Sequence, residues 1–508
     1  MEDRITLPEV VCALSLATDL AMGEPLESGL AITLRAVALA EECGVADAER
    51  DRVYWVALLR HVGCTAENSA FAEIVGDELE FRHSAGPVDP TSPRGLMPHL
   101  LRHVVRAHGL FGAAAVLGRL VRERDRFNEA VLAVCEVAEL IASRLGLSES
   151  VQNDLLLGNE RWDGKSFLRR TQEEAVPMPV RIVQVAECAS VYDVLGGTDA
   201  ATSIVRERGG HAFDPRIAEA FAAKADALLS VGRTDSLWER AMTVAPEAPG
   251  LHAERLDAAL GAMAEFVDLK SPFTVGHSNG VAELAARAAG GEADLLRRAG
   301  LVHDVGRVGV SGSVWDKTDP LTVDDWERVR LHPYLTERVL ARAPGLAALA
   351  DVASLHHERC DGSGYHRGVG ARSLSYPARV LAAGRRLPRD DRAAAASPGA
   401  RSGSRSRRAP RREPRRPARR RRGRGRGLGR GRTSAPPAGS GGRADRPGAR
   451  RSSAGRARTV DEADRRRAGH LAEDGGQPHP THLREDRRLH ARRCDRVRDA
   501  ARPCRKIR

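Results

Sequence analysis

An internal repeat restricts the fold of this chain more than any other feature of its sequence. Residues 160–167 match residues 358–365, and residues 181–183 match residues 379–381 at the same offset of 198 residues. Further upstream, residues 59–63 resemble residues 302–306. Two matches in one register indicate that a structural unit has been duplicated. The sequence therefore predicts two related halves.

Both halves carry helical patterns. Apolar residues recur at three- and four-residue spacing in the segments 30–40, 131–145 and 295–301, as on one face of a helix. Thr322 followed by Asp325 predicts a helix start. Strand signals are sparse, so we predict an all-α fold of two tandem helical bundles. The predicted boundaries are a domain over 1–235, a linker over 236–254 and a second domain over 255–383.

The composition changes abruptly after residue 383. Residues 384–508 hold 39 Arg, one Lys and 13 acidic residues but none of the nineteen aromatic residues, whereas residues 1–383 hold 40 basic and 55 acidic residues. A segment without aromatics and with such a charge excess cannot build a core. We therefore predict that 384–508 is a disordered basic tail with non-specific affinity for polyanions.

The sequence predicts a cytoplasmic protein without a membrane partner. Its first residues are acidic and lack an apolar segment of the kind that signal peptides contain. No uncharged apolar run reaches about 18 residues, the usual minimum for a membrane span. The eight cysteines are scattered without a C-x-x-C pair, which is typical of reduced thiols rather than of a disulfide framework.

Five histidines and one aspartate in the second half are candidate metal ligands: His277, His303, Asp304, His332, His356 and His357. A single histidine on an apolar face is more often a packed core residue, but the two adjacent pairs at 303–304 and 356–357 favour a cluster. Imidazole and carboxylate suit Fe, Mn, Ni or Zn. Two such divalent ions can clamp a phosphate during hydrolysis, with Asp304 bridging them.

The first half lacks this set. Arg60 and His61 stand where the second half has His303 and Asp304, and residues 158–159 are Gly-Asn where the second half has His-His. We therefore predict that residues 1–235 keep the fold without the metal site. Homodimerisation or sensing is the role that such a half would have.

The motifs of residues 255–383 resemble those of HD-domain phosphohydrolases, and within them the HD-GYP group of cyclic-di-GMP phosphodiesterases. The matching segments are 274–278, 303–307, 332–333 and 356–358, together with Gly362, Gly364 and Tyr365. The resemblance extends weakly over residues 10–230. It implies that the histidines and Asp304 hold a metal centre at which water attacks a phosphodiester phosphorus.

The same resemblance implies roles for residues around the metals. Asp304 and Arg307 would be catalytic, and Arg307, Gly362, Gly364 and Tyr365 would contact the substrate. Arg307 replaces the family's usual lysine, which keeps the positive charge but changes its geometry. His366 replaces the proline of the Gly-Tyr-Pro motif. For the two glycines, a plain turn is an equally good interpretation.

The family's closing aspartate is missing. It would lie six residues after Arg379, where this chain has Arg385, whereas the first half has Glu187 six residues after Arg181. Permitted codons for residues 384–399, read one base later, can spell a family-like continuation that includes this aspartate. The same shift turns later segments into strings that resemble a LuxR-type helix-turn-helix, whose second helix enters the DNA major groove. We therefore expect a frameshift near residues 383–384.

Two functions remain open from the sequence. The first is a metal-dependent phosphohydrolase of the HD-GYP type acting on a nucleotide, most plausibly a cyclic dinucleotide, with activity impaired by the missing carboxylate. The second is a nucleotide-sensing transcriptional regulator whose DNA-binding domain is lost to the frameshift. DNA would be a partner only of the frame-restored form.

Overall fold

A computed structural model describes residues 5–385 apart from residues 67, 77, 90, 123, 234–235, 272 and 318–319. Helices and the loops that connect them make up this part of the chain, and no β-strand occurs among the described residues. The all-α prediction is therefore confirmed. The tail over 386–508, with its predicted disorder, its polyanion affinity and its shifted reading frame, lies outside the described residues.

The first half and the segment that follows it contain eleven α-helices and two 3₁₀ turns among the described residues. The helices are α1 (Leu7–Met22), α2 (Ser28–Glu42), α3 (Asp47–Leu59), α4 (Asn68–Val75), α5 (Glu78–Ala85), α6 (Pro93–Arg122), α7 (Arg124–Arg144), α8 (Glu149–Leu156), α9 (Met178–Arg208), α10 (Pro215–Ser230) and α11 (Leu237–Thr243). The 3₁₀ turns are Val62–Thr65 and Glu173–Ala175. Helix α11 lies in the segment predicted as a linker, and its Trp238 is buried.

The second half contains seven further helices among the described residues. They are α12 (Ala253–Asp268), α13 (His277–Ala288), α14 (Ala293–Val302), α15 (Gly312–Trp315), α16 (Val323–Leu340), α17 (Ala347–Ala353) and α18 (Tyr376–Gly384), with 3₁₀ turns at Gly290–Glu292, Val305–Gly309 and Pro344–Leu346. Thr322 caps α16 by accepting a hydrogen bond from the backbone of Asp325, whose carboxylate accepts one in return. The helix start predicted from these two residues is confirmed.

Helix α1 joins the two halves. It is apolar on nearly all sides, and every residue from Val10 to Ala21 is buried, as expected for a helix without a polar face. It contacts α2 and α3 of the first half and also α16 and the turn Val305–Gly309 of the second. One continuous core therefore extends from Val10 to Leu381.

The repeat recurs in three dimensions. Glu160 and Glu358, which are 198 residues apart, each accept a hydrogen bond from the backbone N–H ten residues further on. A Cβ built on Gly63 would lie 1.8 Å from the carbonyl oxygen of Val134, and one built on Gly306 would lie 2.1 Å from that of His332. Val134 and His332 are again 198 residues apart. Each half therefore packs a 3₁₀ turn against a long helix through a glycine.

One segment, Gly95–Arg119 within α6, is long and apolar enough to cross a bilayer by length and composition, and little of it is buried. It includes the charged residues Arg102 and Arg106. Charged side chains near the middle of a span are costly in lipid. The absence of a membrane-spanning segment stays a prediction.

Candidate metal centre

The carboxylate of Asp304 lies at the centre of four imidazoles. The distances from its Oδ2 are 3.5 Å to Nε2 of His277 and 3.4 Å to Nε2 of His303. The distances from its Oδ1 are 3.5 Å to Nε2 of His332 and 3.2 Å to Nε2 of His356. Each carboxylate oxygen thus faces its own pair of histidines, which is the arrangement of a carboxylate that bridges two sites.

Helix ends and one close helix contact bring these side chains together. His303 and then Asp304 follow the end of α14, and His277 is the first residue of α13. His332 lies in the middle of α16, which can approach the Val305–Gly309 turn because residue 306 is glycine. The Gly306 N–H also donates to Thr336 Oγ1, and that hydroxyl donates to the carbonyl oxygen of His303. These contacts hold α16 in register with the Asp304 turn.

Backbone carbonyls orient three of the histidines. Nδ1 of His303 donates to the carbonyl oxygen of Gly300 at 2.8 Å, and Nδ1 of His356 donates to that of Ala353 at 2.6 Å. His332 makes the same bond, over three residues, to Val329. A proton on Nδ1 leaves the Nε2 lone pair free to bind a metal. The local backbone therefore presents Nε2 of all three rings towards Asp304.

The surroundings favour neutral imidazoles at His303 and His356 and an ionised carboxylate at Asp304. Burial lowers the pKa of His303 well below its usual range and that of His356 to about 4, although Asp304 opposes both shifts. Burial alone would raise the pKa of Asp304, but the neighbouring guanidinium of Arg307 helps to hold it well below its usual range. Neutral imidazole and ionised carboxylate are the forms that bind metals.

His357 stands apart from the other four histidines. Its Nε2 lies 3.1 Å from the hydroxyl of Tyr365, whose ring stacks on it at 4.2 Å. Nη2 of Arg385 donates to its Nδ1 at 3.0 Å. Burial lowers the pKa of His357, and Arg385 lowers it further. Both ring nitrogens therefore have protein partners in this chain.

Two neighbours, Asp304 and Trp315, hold the side chain of Arg307 in place. Its Nη1 donates to Oδ2 of Asp304 at 2.9 Å, and its guanidinium stacks on the indole of Trp315 at 4.1 Å. The indole N–H donates in turn to the backbone carbonyl of Arg307. A planar guanidinium suits such stacking, whereas a lysine ammonium would not. Trp315 thus holds the guanidinium of Arg307 next to Asp304.

A cavity of about 470 Å³ opens beside the histidines. His356, His357, Gly364, Tyr365 and Arg385 line it. Its remaining walls are formed by Val314, Trp315, Lys317, Leu321, Trp326, Val329, Glu358, Arg359 and Ser363. Cavities of several hundred Å³ accept small-molecule ligands. The candidate metal centre therefore adjoins a space large enough for a small-molecule ligand.

The two glycines of the loop after His357, Gly362 and Gly364, are required for different physical reasons. Gly362 has a positive φ of 75°, which glycine adopts without strain. A Cβ on Gly364 would lie 2.5 Å from Cα of Glu358, so a side chain at this position would collide with the backbone of Glu358. Gly364 and Tyr365 line the cavity, whereas Gly362 is absent from its lining.

The residues present fit divalent metal ions. His277, His303 and Asp304 form one group of three potential ligands, and His332, His356 and His357 form another, with ligand atoms within 4.8 Å of one another in each group. Nε2 of His303 is buried, and it has no hydrogen-bond partner among the residues that the structure describes. A buried imidazole nitrogen without a partner is costly unless a ligand satisfies it.

Five of the six predicted metal ligands, His277, His303, Asp304, His332 and His356, are thus brought together. The sixth, His357, lies next to His356 and bonds to Tyr365 and Arg385. Sequence reasoning missed Trp315, Lys317 and Trp326, all in the cavity wall. A signal for the two tryptophans existed, because two of the five tryptophans follow the His-Asp pair within about twenty residues. Aromatic residues close to a phosphate-directed site indicate stacking on nucleobases.

The equivalent place in the first half contains an ion pair. Arg60 forms a salt bridge with Glu187, and Nε2 of His61 lies 2.8 Å from the same carboxylate oxygen. Burial lowers the pKa of Arg60 to about 9. A guanidinium therefore neutralises the carboxylate at the position that Arg385 occupies in the second half.

Histidines gathered around one aspartate within a helical bundle are typical of metal-dependent HD domains, and comparison with known proteins agrees. Residues 261–390 match the family model described as HD domain. The chain is 26% identical over 396 residues to 3′3′-cGAMP-specific phosphodiesterase 3 of Vibrio cholerae, covering 75% of this chain and 85% of that protein. The protein contains an HD domain and is a homologue of phosphodiesterases of the HD-GYP type.

Two further similarities concern a shorter stretch and the fold. A cyclic di-GMP phosphodiesterase of Pseudomonas aeruginosa is 39% identical over 83 residues, which cover 16% of this chain and 20% of that protein. The crystal structure of a cyclic GMP-AMP specific phosphodiesterase of V. cholerae superimposes with a TM-score of 0.53 at 21% identity, covering 76% of this chain and 99% of that one. That superposition extends the common fold over both halves.

Proposed function

We propose that this protein is a metal-dependent phosphodiesterase that hydrolyses a cyclic dinucleotide. The observation that carries the proposal is the position of Asp304, whose two oxygens face two separate pairs of histidines. A carboxylate that bridges two ligand groups suits a pair of divalent ions, and paired ions clamp the attacking and leaving oxygens of a phosphate. The homologous phosphodiesterases named above support this reaction class.

Five residues of this chain would hold the two ions. His277 and His303 would hold one ion, His332 and His356 the other, and Asp304 would bridge them. When bound, such ions polarise the phosphate and generate a nucleophile from water. Imidazole and carboxylate ligands suit Fe, Mn, Ni or Zn, and the donor set alone favours none of these four.

The cavity supplies contacts for the rest of the substrate. The indoles of Trp315 and Trp326 offer flat surfaces on which nucleobases can stack. Lys317 and Arg359 bring positive charge to the same walls, and Arg307 adds a guanidinium next to Asp304. Tyr365 directs its hydroxyl towards His357. Two aromatic surfaces and two cations in the walls of one cavity suit a molecule with two bases and two phosphates.

Hydrolysis of 3′3′-cGAMP and of cyclic di-GMP, measured together with bound metal by mass spectrometry, tests the proposal. We expect wild-type protein to contain metal and to release a linear dinucleotide, and His303→Ala to lose both properties. His83→Ala, which changes a half-exposed histidine paired with Glu24, is the matched control. Hydrolysis or metal content that is the same in His303→Ala and wild type would refute the proposal.

A second candidate function rests on Arg385. Its guanidinium occupies the position of the closing carboxylate and bonds to His357, and a cation beside the ligands opposes metal binding. Such a site would bind a cyclic dinucleotide without cleaving it, as a nucleotide-sensing regulator does. Calorimetric binding of cyclic di-GMP without any turnover would favour the sensor over the enzyme.

The remaining assignments are proposals of the same kind. We propose that the first half, with Arg60 and Glu187 in place of metal ligands, is non-catalytic and contributes to dimerisation or sensing. We propose a cytoplasmic location. The frameshift, with the DNA-binding domain it would remove, is tested directly by the nucleotide sequence. Codons for residues 384–399 that cannot spell the shifted string would exclude it.

A further inference from the structure

A buried carboxylate of the first half contacts the loop that carries the metal-centre residues of the second half. Glu78 is the first residue of α5 and is fully buried. Its Oε1 accepts a hydrogen bond from the backbone N–H of Gly312 at 3.1 Å, and its Oε2 accepts one from the hydroxyl of Ser311 at 3.2 Å. These contacts span more than 230 residues of sequence.

Lys270 of the second half completes the arrangement. Its ammonium is also buried and lies 3.6 Å from Oε1 of Glu78. It donates to the backbone carbonyl of Val308 at 2.6 Å. A buried ion pair persists only where hydrogen bonds satisfy both charges. Here those hydrogen bonds go to two points of a single loop.

That loop consists of residues 305–316 and follows Asp304 directly in the chain, and we call it the Asp304 loop. Glu78 holds its middle at Ser311 and Gly312, and Lys270 holds it at Val308. Trp315, at the end of α15, then stacks on Arg307, which bonds to Asp304. A continuous series of contacts therefore runs from the first half to the bridging carboxylate.

We propose that Glu78 is a positioning residue, through which the non-catalytic half holds the Asp304 loop in the conformation that presents Arg307 and Trp315 to the substrate. The inference rests on the proposed function for its catalytic consequence, but its structural content concerns the loop alone. It gives the first half a direct role at the site of the second. Loosening of the α5 region would release the Asp304 loop.

Two variants separate positioning from mere stabilisation. Glu78→Gln keeps an acceptor for the Gly312 N–H but leaves the Lys270 cation buried without a counter-charge, which destabilises a protein strongly. Glu78→Leu combined with Lys270→Met removes both charges, an exchange that is often neutral for stability, but it also removes the loop's acceptor. The double variant should therefore have the higher melting temperature of the two, whereas Glu78→Gln should protect the loop better against hydrogen exchange.

Two measurements test the proposal. Hydrogen exchange followed by mass spectrometry reports on the peptides that cover residues 308–316, and the melting temperature reports on global stability. We expect the double variant to melt near wild type while its loop exchanges about tenfold faster or more. Glu78→Gln should melt lower and keep the slower loop exchange. Arg342→Gln, which removes an exposed ion pair between the halves, is the control and should leave the loop unchanged.

Loop exchange that follows melting temperature across the variants would overturn the proposal, because Glu78 would then act only on global stability. If Glu78→Gln does not fold, the double variant decides alone, and wild-type loop exchange at a wild-type melting temperature refutes the inference. A wild-type protein that hydrolyses no cyclic dinucleotide would refute the proposed function and leave the exchange result standing.

Discussion

Nη2 of Arg385 lies 3.0 Å from Nδ1 of His357, and this contact places a cation where the first half has the carboxylate of Glu187. The two positions are separated by the repeat offset of 198 residues. In the first half, Glu187 is bonded to Arg60 and His61. The two halves therefore carry side chains of opposite charge at one place in the fold, an anion paired with Arg60 in the first half and a cation next to His357 in the second.

Replacing Arg385 with aspartate should increase bound metal and hydrolysis. The change removes a cation from the ligand shell and supplies an anionic ligand, so both effects favour divalent ions. Arg385→Ala removes the cation alone and should give an intermediate metal content. Metal analysis of the three proteins after identical loading makes the measurement, and equal metal content in all three would contradict the role given to Arg385.

Replacing Trp315 with leucine should weaken cyclic dinucleotide binding by about threefold to tenfold, because stacking of a guanidinium on an aromatic ring contributes ~1 kcal/mol. Arg307 would lose the surface that orients it. Bound metal should stay unchanged, since Trp315 is not a ligand. Trp315→Phe keeps a ring and should bind more tightly than the leucine variant; identical dissociation constants for the two would argue against the stacking role.

Replacing Gly306 with alanine should lower the free energy of unfolding by about 3 kcal/mol, the cost of forcing backbone apart in a packed region. A Cβ there would meet the His332 carbonyl oxygen at 2.1 Å and the Thr336 nitrogen at 2.4 Å. Gly261→Ala, in α12 with open space around the site, is the matched control. It should stabilise the protein by about 0.5–1 kcal/mol in the same urea titration, and similar effects from both would refute this account.

Replacing Glu187 with glutamine should destabilise the protein without changing bound metal. Arg60 would lose its counter-charge in a largely buried setting, at a cost of roughly 1–2 kcal/mol given the partial exposure of Glu187. Metal content and hydrolysis should equal those of wild type, because the first half holds no ions in this proposal. Loss of metal from Glu187→Gln would show that both halves contain metal sites.

Lys270 should make stability rise with pH above 8. Burial lowers its pKa to about 8, with Arg82 and Arg307 lowering it further and Glu78 opposing them. Between pH 8 and 10.5 the unfolded chain keeps a proton at this lysine that the folded protein has lost, so unfolding becomes less favourable as pH rises. Wild type should gain at most about 1.4 kcal/mol per pH unit relative to Glu78→Leu with Lys270→Met.

Urea titrations of these two proteins at pH 8, 9 and 10 measure the difference directly. Other titrating groups, such as the cysteines, are common to both proteins and cancel in the comparison. A difference that is flat across this range would mean that Lys270 stays protonated in the folded protein, with Glu78 outweighing the effect of burial.

The helical fold could be predicted from the sequence, and candidate ligands could be proposed from it, because both depend on local patterns. Apolar spacing placed α2, α7 and α14, and Thr322 with Asp325 marked the start of α16. The pairs at 303–304 and 356–357 predict a metal centre from the sequence alone. Each of these signals depends on residues within a few turns of one another, where the backbone period alone decides which side chains share a face.

Only the tertiary structure decided how those residues meet. The sequence cannot show that Asp304 turns one oxygen to each pair of histidines, that Arg307 stacks on Trp315, or that Glu78 reaches a loop more than 230 residues away. Such contacts depend on how helices pack and on which glycine lets two backbones approach, as Gly306 does for α16. Packing is a property of the whole core, and no local pattern encodes it.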